Sequence, residues 1–326
     1  MSAVLDVSVK MSAGPDVSVK MSAVPDVSVK MSAVSDVSVK MSAVPDVSVK
    51  MSAVSDVSVK MSAASDLLYN LGFLKIRTLQ INRSQVYLAC YHGNPFVKKV
   101  LKVYENEPES LEVFKTELSL LQRIQHPNII PIEAAFKLPF HSVIVMPFCE
   151  WGALTNVVGR IDLSHFDHYF LQLCSAIKYL HGQGIAHRDI KLDNILLDAF
   201  QRVYITDFDL SCTVEPENPA VHYKGGTFPY MAPEMLAEPD GSYDGFKIDM
   251  FAFGVVNYAM LFQQVIIEPE DYLEETRAFP WPEPMLFHKA ILENLLLPDP
   301  GARWGILTLI ENLSTVPSLA ERAKFL

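Results

Sequence analysis

Residues 187–194 read HRDIKLDN, and thirteen residues beyond Asn194 stands Asp207-Phe208-Asp209. Between them lie ILLD (195–198) and RVYIT (202–206), short runs of strand character. Further on comes Ala232-Pro233-Glu234. Working outward, the chain from Trp151 onward is otherwise mostly helical in pattern. On the other side, KIRTLQI, SQVYLACY and PFVKKVLKVY predict strands over residues 71–104, with a turn at His92-Gly93-Asn94. Leu111, Phe114, Leu118, Leu121 and Ile124 then recur at helical spacing over 108–125, and FHSVIVMPF returns to strand character. The expected fold class is therefore α+β: a small strand-rich half followed by a larger helical half.

The ordered set of H-R-D, D-F-x and A-P-E resembles the eukaryotic-type protein kinase family, over roughly residues 71–326. The resemblance implies a two-lobed fold, with a sheet-plus-helix N-lobe (71–146) and a mainly helical C-lobe (147–326). It implies transfer of the γ-phosphate of ATP to a hydroxyl, with Mg²⁺ as cofactor. Asp189 is then the catalytic carboxylate and Lys191 the cation that steadies the transferring phosphate. Asn194 and Asp207 supply hard oxygen ligands to Mg²⁺. Lys191 and Thr227 together resemble the serine/threonine class rather than the tyrosine class. A lysine on the third strand of the half should pair with Glu117 and anchor the phosphates. Both Lys99 and Lys102 satisfy the spacing; an ungapped match of residues 86–102 favours Lys99, with Lys102 as the alternative. Val86, Val97 and Leu196 match the residues that sandwich adenine. Met146 matches the gatekeeper, and Pro147, Phe148 and Cys149 the hinge segment beside it. Leu121, Ile132, His187 and Phe208 match the apolar stack of the family. Asp249 matches the helix carboxylate that tethers the catalytic loop, and Glu234 with Arg303 the closing ion pair. Arg188 matches the arginine that meets an anion on the activation segment, where Thr213, Tyr223 and Thr227 lie. Asp193 sits where the family often receives a substrate arginine, so protein substrates with basic residues near the target are expected.

Two departures open a second reading, a non-catalytic binding module on the same fold. The three glycine places of the phosphate-covering loop hold Leu79, Ile81 and Ser84. Side chains there should push the loop away from phosphate or onto another path. The third residue of D-F-G is Asp209. Retention of Asp189, Asn194 and Asp207 favours the catalytic reading.

The first sixty residues are a decapeptide, M-S-A-V-(P/S)-D-V-S-V-K, written six times with small changes such as Leu5 and Gly14; a seventh copy dissolves at Leu67. Residues 1–66 are read as a flexible low-complexity arm, because Pro15, Pro25 and Pro45 interrupt any continuous ladder. The six copies are neutral, so the rest of the chain carries the whole net charge of −11, which argues against a nucleic-acid partner. The uncharged stretch 251–267 is short for a membrane span and reads as a buried helix. Cys90, Cys149, Cys174 and Cys212 are scattered without a C-x-x-C pair, and the first residues lack a signal-peptide pattern. No membrane partner and a cytoplasmic location, with the nucleus open, are the expectations. The sequence leaves the oligomeric state open.

Overall fold

The computed structural model describes residues 64–313 apart from 82–83, 92–93, 216, 223–224, 239–240 and 270, together with four short pieces of the repeat arm. The chain divides into two compact units, Met1–Gln122 with Pro131–Phe148, and Arg123–Ile130 with Cys149–Leu326. The division falls after Phe148 rather than after Met146, and the second unit also takes a short segment from before the fourth strand of the sheet.

The first unit begins with α1 (Ala64–Asn70) and continues through β1 (Phe73–Ile81), β2 (Gln85–Tyr91), β3 (Asn94–Glu105), α2 (Pro108–Arg123), β4 (Ala134–Lys137) and β5 (His141–Pro147). The five strands form an antiparallel sheet in the order β4-β5-β3-β2-β1, and residues 3–5 of the arm lie parallel along β4. One face of the sheet follows strict alternation: Tyr87 and Ala89, Leu101 and Val103, Val143 and Val145 form a core with Phe73. Leu67 and Leu68 complete that core and are almost fully buried. The folded body therefore starts inside the seventh repeat copy, before the boundary at 71 read from the sequence. The Leu-Leu pair that replaces the repeat's own residues supplies the apolar surface that α1 buries. The flexible-arm reading concerns mostly residues outside the described set. The described pieces Ser18–Met21, Val37–Met41 and Ser48–Met51 form a small sheet from the alternating part of the repeat.

The second unit contains β6 (Gly152–Ala153), α3 (Leu163–Gly182), β7 (Ile185–Ala186), β8 (Ile195–Leu197), β9 (Val203–Ile205), β10 (Cys212–Thr213), β11 (Ala220–Val221), α4 (Pro233–Ala237), β12 (Tyr243–Asp244), α5 (Gly245–Phe262), α6 (Asp271–Ala278), α7 (Leu286–Leu295) and α8 (Ile306–Leu313). Its centre is α5, apolar all round and buried along most of its length. It is the one helix among the described residues long and apolar enough to cross a membrane, and 78% of it is buried inside the protein. The sequence placed this helix at 251–267. It starts earlier because the Asp244 carboxylate caps the amides of Phe246 and Lys247. It ends earlier because Gln263 turns left-handed at φ 58°. Phe253 of α5 stacks on Phe170 of α3 with centroids 5.7 Å apart. At Gly254 a Cβ would stand 2.9 Å from Leu296 and 3.0 Å from Leu295, so the missing side chain allows the close approach of α5 and the end of α7.

Arg303 closes the unit. It is 1% exposed and uses all five N–H donors of its guanidinium. Two go to the Glu234 carboxylate at 2.8 and 2.9 Å, and the others to the carbonyls of Leu297, Lys247 and Pro298. Arg303→Met strands the carboxylate and three carbonyls. It is expected to cost about 3–5 kcal/mol, visible as a loss on the order of 10 °C in Tm by calorimetry. A variant within 2 °C or so of wild type would contradict this account.

Candidate active site

The segment 187–194 is positioned by a helix and a strand pair. From α5, Asp249 is 1% exposed and reaches the loop with both carboxylate oxygens. Oδ1 accepts the Arg188 amide at 2.7 Å, and Oδ2 accepts the His187 amide at 2.8 Å. His181 Nε2, at the end of α3, lies 3.0 Å from Oδ2. This grip holds Arg188 at φ 69°, a left-handed conformation costly for a side-chain-bearing residue. The His187 ring accepts the Asp189 amide at Nδ1 and meets the Thr206 carbonyl through Nε2 at 3.1 Å. That pattern fits the neutral ring with its proton on Nε2. The same ring packs edge-on against Phe208 at 4.8 Å.

Asp189 is the hub. Its Oδ1 accepts the Thr227 hydroxyl at 2.7 Å. Its Oδ2 accepts Lys191 Nζ at 2.7 Å and Asn194 Nδ2 at 2.9 Å. Lys191 also donates to Thr227 at 2.7 Å, closing a triangle of carboxylate, ammonium and hydroxyl. Thr227 lies 38 residues from Asp189 along the chain, and the fold brings it and Lys191 onto the one carboxylate.

Asn194 and Asp207 come to one end of a ladder because β8 and β9 pair with Ile195 opposite Ile205. Asn194 is one residue before that pair and Asp207 two residues beyond it, on the same end of the ladder. The Thr206 amide donates to the Asn194 carbonyl at 2.9 Å and fixes the junction. Asn194 commits its side-chain nitrogen to Asp189, to both the carboxylate and the main-chain carbonyl. Its amide oxygen is then the atom it offers a cation. With the Asp207 carboxylate this is a hard-oxygen donor set that suits Mg²⁺. Among the described residues the left-handed φ falls on Asp207 (67°) and not on Asp209. The Asp209 position therefore makes no demand for glycine, which explains how an aspartate occupies it.

The sequence favoured Lys99 as the partner of Glu117; the structure corrects this to Lys102. Lys102 Nζ lies 3.0 Å from the Glu117 carboxylate, and both side chains are buried. Lys99 instead forms a half-exposed ion pair with Glu133 at 2.6 Å. Strand parity is the reason. Residues 101 and 103 face the α1 core, so 100, 102 and 104 face the other side, where Glu117 lies. The ungapped match failed because Cys90 pairs with Lys98 while Tyr91 pairs with Asn94. Residues 95–97 are looped out of the ladder, shifting the register by three. Val97 lies in this bulge and is 38% exposed, so Val100, two residues before Lys102 and buried, takes the place read for Val97.

Val86 pairs opposite Lys102, and Met146 is buried opposite Val100. Phe148 carries the Lys98 ammonium 5.5 Å above its ring. Leu196 lies half-buried in β8, opposite Tyr204. β1 and β2 pair out to Ile81 and Gln85, with register shifts between Lys75 and Arg77 and between Thr78 and Gln80; Ser84 is buried and Leu79 exposed. Thr213 is exposed on β10, and Arg188 approaches the neighbouring Cys212 sulfur at 3.8 Å. Tyr223 lies outside the described residues. The sequence reading missed His181, Tyr104 and Glu133; a histidine at the end of a helix and a tyrosine within a strand carry no spacing signal of their own.

All four cysteines are free. Burial pushes the Cys149 thiol up to about 12, and the nearby charges of Asp198 and Glu150 act in the same direction. At pH 8 only about one thiol in ten thousand is then ionised. Iodoacetamide at pH 8 is expected to leave Cys149 unmodified in the native protein and to label it after denaturation, as read by peptide mass spectrometry. Rapid native labelling of Cys149 would contradict the geometry.

Comparison with known proteins places this arrangement. Residues 82–312, more than half of the chain, match the family described as protein kinase domain. CBL-interacting protein kinase 16 of Oryza sativa subsp. japonica is 32% identical over 208 residues, covering 60% of this chain and 45% of that protein. CBL-interacting serine/threonine-protein kinase 5 of Arabidopsis thaliana is 32% identical over 211 residues, covering 61% and 46%. The chain spans about half the length of these curated relatives. The family match covers both the Lys102–Glu117 pair and the loop around Asp189, and on these grounds the chain belongs to the protein kinase domain family.

Proposed function

We propose that the chain transfers the γ-phosphate of ATP to serine or threonine hydroxyls of protein substrates. The observation that carries this reading is the Asp189–Lys191–Thr227 triangle. In the proposed reaction the substrate hydroxyl donates its hydrogen bond to Asp189, which orients the oxygen and takes the proton as the new P–O bond forms. The bond to the β–γ bridging oxygen breaks and ADP leaves. Lys191 sits beside the carboxylate, where negative charge develops on the moving phosphoryl group. Lys102, held by Glu117, supplies the cation for the remaining phosphates. Asn194 and Asp207 would hold Mg²⁺, which when bound would neutralise phosphate charge. The serine/threonine class is supported by Lys191 and Thr227 and by the names of the relatives. A non-catalytic module would be favoured by a broken carboxylate or metal-ligand set, and here Asp189, Asn194 and Asp207 are all present. The four free cysteines accord with a reducing compartment such as the cytoplasm.

Asp193 is exposed, and its carboxylate accepts the Thr155 hydroxyl at 3.1 Å. We extend the proposal to a mild preference for basic residues before the target hydroxyl, with Asp193 as the receiving acid.

Asp189→Asn is expected to lower phosphate transfer from Mg-ATP to a basic protein by about 10²–10⁴-fold with Tm preserved. Lys102→Met is expected to lower it by tenfold or more, whereas Lys99→Met stays within about fivefold, as for an exposed ion pair. Equal activity of wild type and D189N would sink the catalytic reading. On a peptide array, basic residues ahead of Ser or Thr should be preferred, and Asp193→Ala should flatten that preference. A preference for acidic or proline-flanked sites would count against Asp193.

A further inference from the structure

Glu117 is 1% exposed, and a buried carboxylate with a single donor is poorly compensated. Among its partners are two donors from one strand. Lys102 reaches both oxygens, Oε1 at 3.2 Å and Oε2 at 3.0 Å. The Tyr104 hydroxyl, two residues along the same face of β3, donates to Oε2. The Tyr104 ring is fully buried and packs edge-on against Phe114, three residues before Glu117 on α2, at 5.5 Å. The Lys102 ammonium lies 5.5 Å from the centroid of the same ring. One tyrosine therefore touches α2 twice, through its ring and through its hydroxyl, and lies against the lysine as well.

We propose that Tyr104 is a positioning residue that latches α2 onto β3: its phenol fixes the Glu117 carboxylate and so aims Lys102. The proposal rests on the kinase reading above, and it adds that the docking of α2 is built into this unit. An ammonium is a compact charge with rotatable donors, so a lysine by itself sets the orientation of a carboxylate only loosely. A second donor on Oε2 fixes that orientation and gives the ammonium one preferred direction. The donor is neutral, so it satisfies the carboxylate without competing with Lys102 for charge.

Tyr104→Phe keeps the ring and removes only the donor. It is expected to lower kcat/KM for Mg-ATP by about tenfold, the scale of one hydrogen bond to a charged group. Tm should fall by only a few degrees, and hydrogen exchange should accelerate in α2 amides while the β-sheet amides keep their protection. In a Glu117→Ala background the same change should have no further effect on kcat/KM, because the group that Tyr104 holds is gone. A merely structural tyrosine would add its full effect to that of Glu117→Ala. The proposal is overturned by wild-type kinetics and exchange in Y104F, by full additivity with E117A, or by a Y104F chain that does not fold. If wild type itself transfers no phosphate, the kinase reading falls instead, and the α2 exchange comparison still decides for or against the latch.

Discussion

The arrangement around Asp189 depends on one buried carboxylate that touches no reacting group. Asp249 receives two consecutive backbone amides and a histidine nitrogen. These three donors compensate the burial of its charge, and in return the carboxylate holds Arg188 in a backbone conformation that costs about 1–2 kcal/mol when unsupported. The helix that carries Asp249 is buried along most of its length and packed on α3 and α7. The geometry of a polar loop is thereby referred to a helix buried along most of its length. Asp189, one residue beyond the held pair, then has a direction, and Lys191, Asn194 and Thr227 converge on it from three further points in the chain.

A second constraint is the period of two in a strand. β3 carries Lys98, Lys99 and Lys102, with Lys99 and Lys102 on opposite faces. Only the face shared by Val100, Lys102 and Tyr104 meets Glu117, so Lys99 is turned to Glu133 at the far side. A three-residue bulge, invisible as a gap in the sequence, decides which lysine occupies which place.

The same two constraints separate what is legible in the sequence from what is not. HRDIKLDN, the Asp207 segment, Glu234, Asp249 and Arg303 were legible because their order along the chain carries the family resemblance, and the structure joins Asp249 to the loop at His187 and Glu234 to Arg303. The α+β order was legible from the change to a mostly helical pattern after Trp151. The lysine was misassigned because pairing register is set by hydrogen bonding across strands, which spacing along one strand does not report. The start of the body was placed late because Leu67 and Leu68 follow directly on a repeat copy, and their burial against β1 and β3 is a tertiary fact. Tyr104 was passed over because a tyrosine is a common strand former. Its second identity, as a donor to a buried acid, exists only once α2 lies against the sheet.

Asp209 has a consequence for the unfolded chain. Where a glycine would let the backbone after Phe208 roam through both halves of conformational space, an aspartate confines it even in the denatured ensemble. A residue whose native backbone angles suit an ordinary side chain gains about 0.4–1 kcal/mol from such a narrowing. The segment from Asp207 to Asp209 thus has fewer arrangements to give up when it folds. The same restriction shrinks the set of alternative arrangements available to Asp207, so this chain carries that carboxylate on a stiffer tether than a glycine would provide.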